Sequence, residues 1–183
     1  HDAFRVGEDG PTHQPVEHEL QVRLMEALKN HKGKNSMLVL RPADVDETTV
    51  AWKMALENQD TPTALILSRQ NVKNLPRKES KYNEALGATK GAYIVKDCEG
   101  TADVILLASG SEVSTLVAAT ELLESRANLN VRIVSVPSEG LFFSQPESYI
   151  RSVIDYNLPI FGLTAGLPLS MQRLVGLKGK VFG

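Results

Sequence analysis

The segment "GEDGPTHQP", residues 7–15, places two carboxylates, a hydroxyl and an imidazole between residues that break regular structure. Gly7, Gly10 and Pro11 disfavour both helix and strand, so the sequence predicts a loop here. Loops held by a rigid scaffold commonly carry binding and catalytic side chains. This stretch is therefore the first candidate site in the chain.

The polar side chains of this loop are those of Glu8, Asp9, Thr12 and His13, and the loop leads into a helix predicted to begin near Pro15. Unpaired backbone N–H groups at a helix N-terminus favour anionic or strongly polar ligands. The structural alternative is that Thr12 or Asp9 caps the helix while His13 packs locally. The loop alone leaves both interpretations open.

Arg69 follows the apolar stretch "TALILS", which is typical of a buried strand. Open α/β sheets bind ligands beyond the carboxyl ends of their strands. From the residues alone, however, a salt bridge at the strand end is the favoured interpretation of Arg69.

The elements that would position these residues alternate between helix and strand. The first helix extends from about Pro15 towards Gly33 and places Val16, Leu20, Leu24 and Leu28 on one face. This spacing predicts that the apolar face is the one packed against the protein.

A second helix is predicted after the short strand "MLVL". Asp44 is its expected N-cap, with Glu47 three residues later as in a capping box. Its buried face is predicted to consist of Val50, Ala51, Met54 and Ala55. Strand, helix and strand in this order indicate an α/β fold.

The composition becomes polar and aperiodic over residues 75–91, and the α/β pattern then restarts. We predict a first domain over 1–78, a linker over 79–91 and a second domain over 92–183. The predicted fold is α/β, with two consecutive parallel-sheet three-layer domains. The chain lacks an initiating Met and stops just after "KVF", so we expect the first domain to be incomplete at its N-terminus. We expect the second to be cut before its last strand could pair.

Charge and cysteine content exclude several classes of protein. The 183 residues carry a formal net charge of -2, which gives no general attraction for nucleic acid or an anionic membrane. No apolar run is long enough to cross a bilayer. Cys98 is the only cysteine, which argues against disulfides and structural zinc and predicts a cytoplasmic location.

Several motifs together resemble the transketolase family. "HDAFRVGEDGPTHQPVEH", "LRPADVDET", "AWKMAL" and "TALILSRQN" are similar to the latter part of its pyrimidine-binding domain. "ADVILLASGSEV" and "VRIVSVPS" are similar to the start of its C-terminal domain. The run over residues 9–15 is the most specific element. The stretch between Glu17 and Leu40 is longer than usual in the family, and Thr164 replaces a frequently acidic residue.

The resemblance implies roles for four residues. His1 and Arg69 match positions that bind the phosphate of a sugar phosphate. Asp9 matches a residue that accepts a hydrogen bond from a substrate hydroxyl, and His13 matches a histidine beside the reacting carbons. His13 is thus the expected catalytic residue, and it also contacts substrate.

The implied reaction is the reversible transfer of a two-carbon ketol unit between sugar phosphates. The family uses thiamine diphosphate with a divalent metal, Mg or Ca, and acts as a homodimer. We assign no cofactor or metal ligand to these 183 residues, and we expect the isolated chain to bind neither group and to be inactive. The alternatives are a dihydroxyacetone synthase, a deoxyxylulose-phosphate synthase, or a non-catalytic dimerisation or regulatory module.

Overall fold

The computed structural model describes residues 1–3, 6, 13–78 and 81–183. The chain alternates between helices and strands, as expected for an α/β protein. In chain order the elements are α1 (His18–Ala27), β1 (Leu38–Leu40), α2 (Val45–Glu57), β2 (Thr63–Leu65), α3 (Lys81–Ala85), a 3₁₀ helix (Leu86–Lys90), β3 (Tyr93–Lys96), β4 (Val104–Ala108), α4 (Glu112–Ala127), β5 (Val131–Ser135), α5 (Glu139–Phe142), α6 (Glu147–Val153), β6 (Ile160–Leu163), a second 3₁₀ helix (Pro168–Met171), α7 (Gln172–Val175) and β7 (Lys180–Phe182).

In the first part of the described chain, β1 and β2 pair in parallel and α2 forms the crossover. The predicted N-cap of α2 is confirmed, since Asp44 Oδ1 accepts the Glu47 N–H at 3.0 Å. In a capping box the Glu47 carboxylate would accept a hydrogen bond from the N–H of the N-cap residue. Here it accepts one from Ala43 N, one residue before the N-cap, at 2.8 Å. Val50 and Ala51 are buried as predicted.

The second sheet has the strand order β3-β5-β4-β6-β7 within the described residues. Its central strand β4 reads "VILLA" and is buried on both faces, because helices cover each side. Ile105 and Leu107 belong to the core that includes α6 and α7, whereas Leu106 lies in the core that includes α4. This is the expected three-layer arrangement, and the α/β fold class is confirmed.

Two details of this sheet differ from the sequence prediction. The edge strand β3 runs antiparallel to β5, so the sheet is mixed rather than wholly parallel. The terminal "KVF" segment does pair, in parallel with β6, with Gly162 opposite Val181. The prediction that the chain stops too early for this pairing was wrong, because three residues suffice when the neighbouring strand is already in place.

Helix α1 is present, but the prediction of its buried face was wrong. Leu24 and Leu28 are 58% and 55% exposed. The buried positions are instead charged, namely Glu19, Arg23 and Glu26. Burying these groups is tolerable because carboxylates and guanidinium pair with one another.

The segment predicted as a linker contains structure of its own, since residues 81–90 form α3 and the 3₁₀ helix. Ala85 and Ala88 pack with Val50 of α2 and with Tyr93 of β3. The segment thus joins the first sheet to the second through a small apolar cluster. The division into domains 1–78 and 92–183 stays a prediction.

Candidate functional site

The predicted phosphate ligands His1 and Arg69 lie on neighbouring chain segments. Asp2 N donates to Leu67 O at 3.0 Å, which places the start of the chain beside the segment that follows β2. His1 precedes this hydrogen bond by one residue, and Arg69 follows it by two. Both side chains are exposed. The fold therefore brings together the two chain segments that carry these residues.

His13 is exposed and lies shortly before α1. The next residue, Gln14, donates from Nε2 to Val6 O at 3.3 Å, and Val6 is buried. The residue after His13 is thereby tied to the segment that starts at His1. Asp9, the predicted hydroxyl ligand, lies outside the described residues.

A cavity of about 350 Å³ opens beside His1. Residues from both halves of the chain form its wall: His1, Asp2, Ala3, Pro15, His18, Glu19, Val22, Arg41, Ala64, Leu65, Ile66 and Gly166. A larger cavity, of about 520 Å³, is lined by residues around Lys29 and Lys34, at the far end of α1. It contains none of the predicted site residues, whereas His1 lines the smaller cavity, which is therefore the better candidate. Neither His13 nor Arg69 is among the residues that line the smaller cavity.

The floor of the smaller cavity is an ion-pair network centred on Arg41, whose side chain is 1% exposed. Its guanidinium lies 3.1 Å from Asp2 Oδ2 and 2.6 Å from Glu112 Oε2, and it donates to Ser109 O at 2.7 Å. Burial opposes the charge, but the carboxylates, Glu19 first, outweigh it and raise the pKa of Arg41. Burial also raises the pKa of Glu112, and the nearby Asp2 adds to the shift.

A second buried guanidinium, that of Arg23 on α1, continues the network. It lies 2.9 Å from Glu19 and 3.5 Å from Glu139, and it donates to Ser109 Oγ at 3.1 Å. Burial raises the pKa of Glu139 to about 7, assisted by the carboxylates of Glu19 and Glu26. The two networks meet at Glu19, which also lies 3.5 Å from Arg41.

Sequence reasoning did not identify Asp2, Arg41 or Glu112 as parts of this region. The sequence does carry a signal for Arg41, because this residue directly follows β1. Arg69 similarly lies a few residues after β2. Polar residues at the carboxyl ends of adjacent parallel strands meet at one edge of the sheet. Nothing local marks Asp2, whose partners lie 39 and 109 positions away.

His18 and His31 are both exposed. Among the described residues, no group of three or more His, Cys, Asp or Glu side chains is arranged to hold a metal ion. In the same part of the chain, no helix is both long and apolar enough to cross a membrane.

Comparison with known proteins shows the family of this chain. Residues 1–74 match the family model "Transketolase, pyrimidine binding domain", and residues 91–183 match "Transketolase-like TK C-terminal domain". The transketolase of Halalkalibacterium halodurans is 43% identical over 183 residues, covering 99% of this chain. The chain belongs to the transketolase family.

Solved structures of the family have the same fold. Transketolase from Leishmania mexicana superimposes with a TM-score of 0.78 at 40% identity, covering 92% of this chain and 23% of that one. A transketolase from Pichia stipitis in complex with sedoheptulose-7-phosphate gives 0.71 at 35% identity, covering 90% and 22%. The chain spans only 26% of the Halalkalibacterium transketolase, so it corresponds to about a quarter of such an enzyme.

Proposed function

We propose that this chain supplies the sugar-phosphate-binding part of a transketolase, which transfers a two-carbon ketol unit from a ketose phosphate to an aldose phosphate. The observation that carries the proposal is the hydrogen bond from Asp2 N to Leu67 O, because it sets His1 beside the segment that bears Arg69. An imidazole and a guanidinium together can bind a phosphate group with charge-assisted hydrogen bonds. The structure of the Pichia stipitis relative with sedoheptulose-7-phosphate supports a ligand of this class.

The remaining site residues have complementary roles in the proposal. Asp9 accepts a hydrogen bond from a sugar hydroxyl, so an epimer that lacks this contact would leave the carboxylate unpaired. His13 gives or takes a proton at the reacting carbons, a task that suits an imidazole at neutral pH. Xylulose 5-phosphate, ribose 5-phosphate and sedoheptulose 7-phosphate are the expected substrate type.

Thiamine diphosphate would supply the centre that stabilises the substrate carbanion, with a divalent metal on its diphosphate. Among the described residues, no group of three or more His, Cys, Asp or Glu side chains could hold the metal ion. We propose that the rest of a full-length enzyme holds both groups. That enzyme is proposed to be a cytoplasmic homodimer with no nucleic-acid or membrane partner. The isolated 183-residue chain is expected to show no ketol transfer, even with thiamine diphosphate and metal added.

The test compares phosphorylated and unphosphorylated donors in the full-length enzyme. In Arg69→Ala, KM for xylulose 5-phosphate should rise by about 10- to 100-fold, as expected for the loss of charge-assisted hydrogen bonds. KM for xylulose should stay the same, because that sugar has no phosphate. Arg126→Ala, an exposed arginine in the last turn of α4, is the matched control. Equal effects of Arg69→Ala on both sugars would remove this residue from phosphate binding.

His13 is tested in the same assay. His13→Ala should lower kcat by about 10²-fold or more if the imidazole transfers a proton in the reaction. His31→Ala is the control, because it removes an exposed histidine far along the chain from the predicted site. An unchanged kcat in His13→Ala would mean that His13 has only a structural role.

A further inference from the structure

Asp2 is held by residues from both halves of the chain, although it lies directly beside the proposed phosphate ligand His1. The Asp2 side chain is only 3% exposed. Its Oδ2 atom lies 3.1 Å from a guanidinium nitrogen of Arg41 and accepts a hydrogen bond from Ser111 Oγ at 3.0 Å. Arg41 follows β1, whereas Ser111 precedes α4 in the second half.

The turn over residues 109–111 is shaped to enclose Arg41. Ser109 accepts a hydrogen bond from Arg41 through its backbone oxygen at 2.7 Å. Gly110 has a φ of +66°, and a Cβ at this position would lie 2.7 Å from the Arg41 side chain. Both the backbone conformation and the close approach therefore require glycine here. The turn cannot shift without disturbing the guanidinium that binds Asp2.

These contacts leave Asp2 little freedom, and they restrict His1 in turn. The Asp2 carboxylate accepts a hydrogen bond from Ser111 of the second half, while the Asp2 backbone N–H donates to Leu67 O. The Asp2 carbonyl oxygen lies 2.9 Å from His1 Nδ1. A ring nitrogen held in this way fixes the orientation of the imidazole relative to the segment that carries Arg69.

We propose that Arg41 and the turn Ser109–Ser111 form a clamp on Asp2, and that Asp2 and Ser111 are positioning residues for phosphate binding by His1. The inference rests on the proposed function and assigns the C-terminal half a part in substrate affinity. A second contact also joins the C-terminal half to a segment near a predicted site residue. Leu167 N donates to Val16 O at 3.3 Å, and Val16 lies three residues beyond His13.

The experiment removes the Ser111 hydroxyl in the full-length enzyme. Ser111→Ala should raise KM for xylulose 5-phosphate by up to about tenfold, the factor expected when one hydrogen bond that orders a ligand group is lost. KM for xylulose and kcat should remain within about twofold of the wild type, because the clamp acts only through the phosphate ligand. Asp2→Asn keeps the side-chain shape and should produce the same split between the two sugars.

The matched control is Ser135→Ala. Ser135 is also a buried serine of the C-terminal half that donates to a carboxylate of the first half, Glu47, at 2.8 Å. It touches neither Asp2 nor Arg41 in the described structure, so its loss should lower stability without the KM split. If Ser111→Ala and Ser135→Ala behave alike towards both sugars, the clamp is refuted.

A binding measurement separates failure of the clamp from failure of the proposed function. Inorganic phosphate is titrated into the full-length protein while the His1 ring signal is followed by NMR. The clamp predicts that half-saturation of the His1 signal needs a several-fold higher phosphate concentration in Ser111→Ala than in Ser135→Ala. This difference is expected whether or not the full-length enzyme transfers ketol units. If the two variants differ in phosphate affinity but the full-length enzyme transfers no ketol unit, only the proposed function is refuted. Identical midpoints, or no response of His1 to phosphate in the wild type, would refute the clamp.

Discussion

Replacing Glu139 by Gln should make the stability of the protein less dependent on pH. Within the described residues, the buried network contains five carboxylates and two guanidinium groups, so these groups together carry an excess of negative charge when all are ionised. Glu139 faces Arg23, Glu19, Glu26 and Arg173. Burial, together with the two glutamates, outweighs the two arginines and raises its pKa to about 7 from an ordinary value of 4.5.

The size and sign of the effect follow from this shift. The folded state binds a proton at Glu139 more tightly than the unfolded state does. The corresponding stability is therefore fully present below pH 4.5 and is lost as the pH rises through 7. A difference of this size corresponds to about 3 kcal/mol. Glu139→Gln keeps a neutral side chain at every pH and should abolish this loss.

The assay is urea denaturation of the wild type and the variant at intervals between pH 4.5 and pH 8.5. We expect the wild type to lose more unfolding free energy than Glu139→Gln across this range, and the variant to be the more stable one at pH 8. Glu147→Gln is the control, since Glu147 is exposed and pairs with Arg151 on its own helix. Parallel profiles for the wild type and Glu139→Gln would refute the assignment of this proton to Glu139.

Two further predictions concern the fold. Gly91→Ala should destabilise the protein by about 3 kcal/mol or more, because a Cβ there would overlap backbone atoms of α5 and of the residue before it. Gly100 has a similarly positive φ but open space around it, so Gly100→Ala is the control without the clash. Equal losses of stability in thermal unfolding of the two variants would contradict the clash at Gly91. Asp44→Ala should cost about 3 to 5 kcal/mol in denaturant unfolding, because it removes the cap of α2 and the buried partner of Arg77. Asp46→Ala removes only the more exposed partner of Arg77, and a loss as large as that of Asp44→Ala would show that the cap matters little.

The sequence predicted those elements whose determinants are local. The cap of α2 depends on residues three positions apart, and Val50 and Ala51 of its predicted face are buried. The same rule failed for α1, since its charged face meets the carboxylates and guanidinium groups of distant segments. Apolar spacing alone cannot anticipate a face that is buried through ion pairs, as around Arg23.

The candidate site shows the same division between local and distant determinants. The residue types of His13 and Arg69 and their loop positions were recognisable from the sequence, and their roles stay predictions. The contacts that support His1 were not recognisable, because Ser111 Oγ meets a carboxylate 109 positions away. Only the packing of the second half on the first brings them together.

The polar character of this contact region also bears on how firmly the two halves are held. Apolar surfaces can slide by small amounts at little cost, whereas a buried guanidinium is stable only while its partners remain in place. A shift of the turn around Gly110 would leave Arg41 without Ser109 O and Ser111 Oγ and would cost several kcal/mol, on the order of the 3 to 5 measured when buried pairs are broken. The ion pairs therefore select one relative orientation of the halves, in which Ser111 of the second half contacts Asp2, the residue after His1.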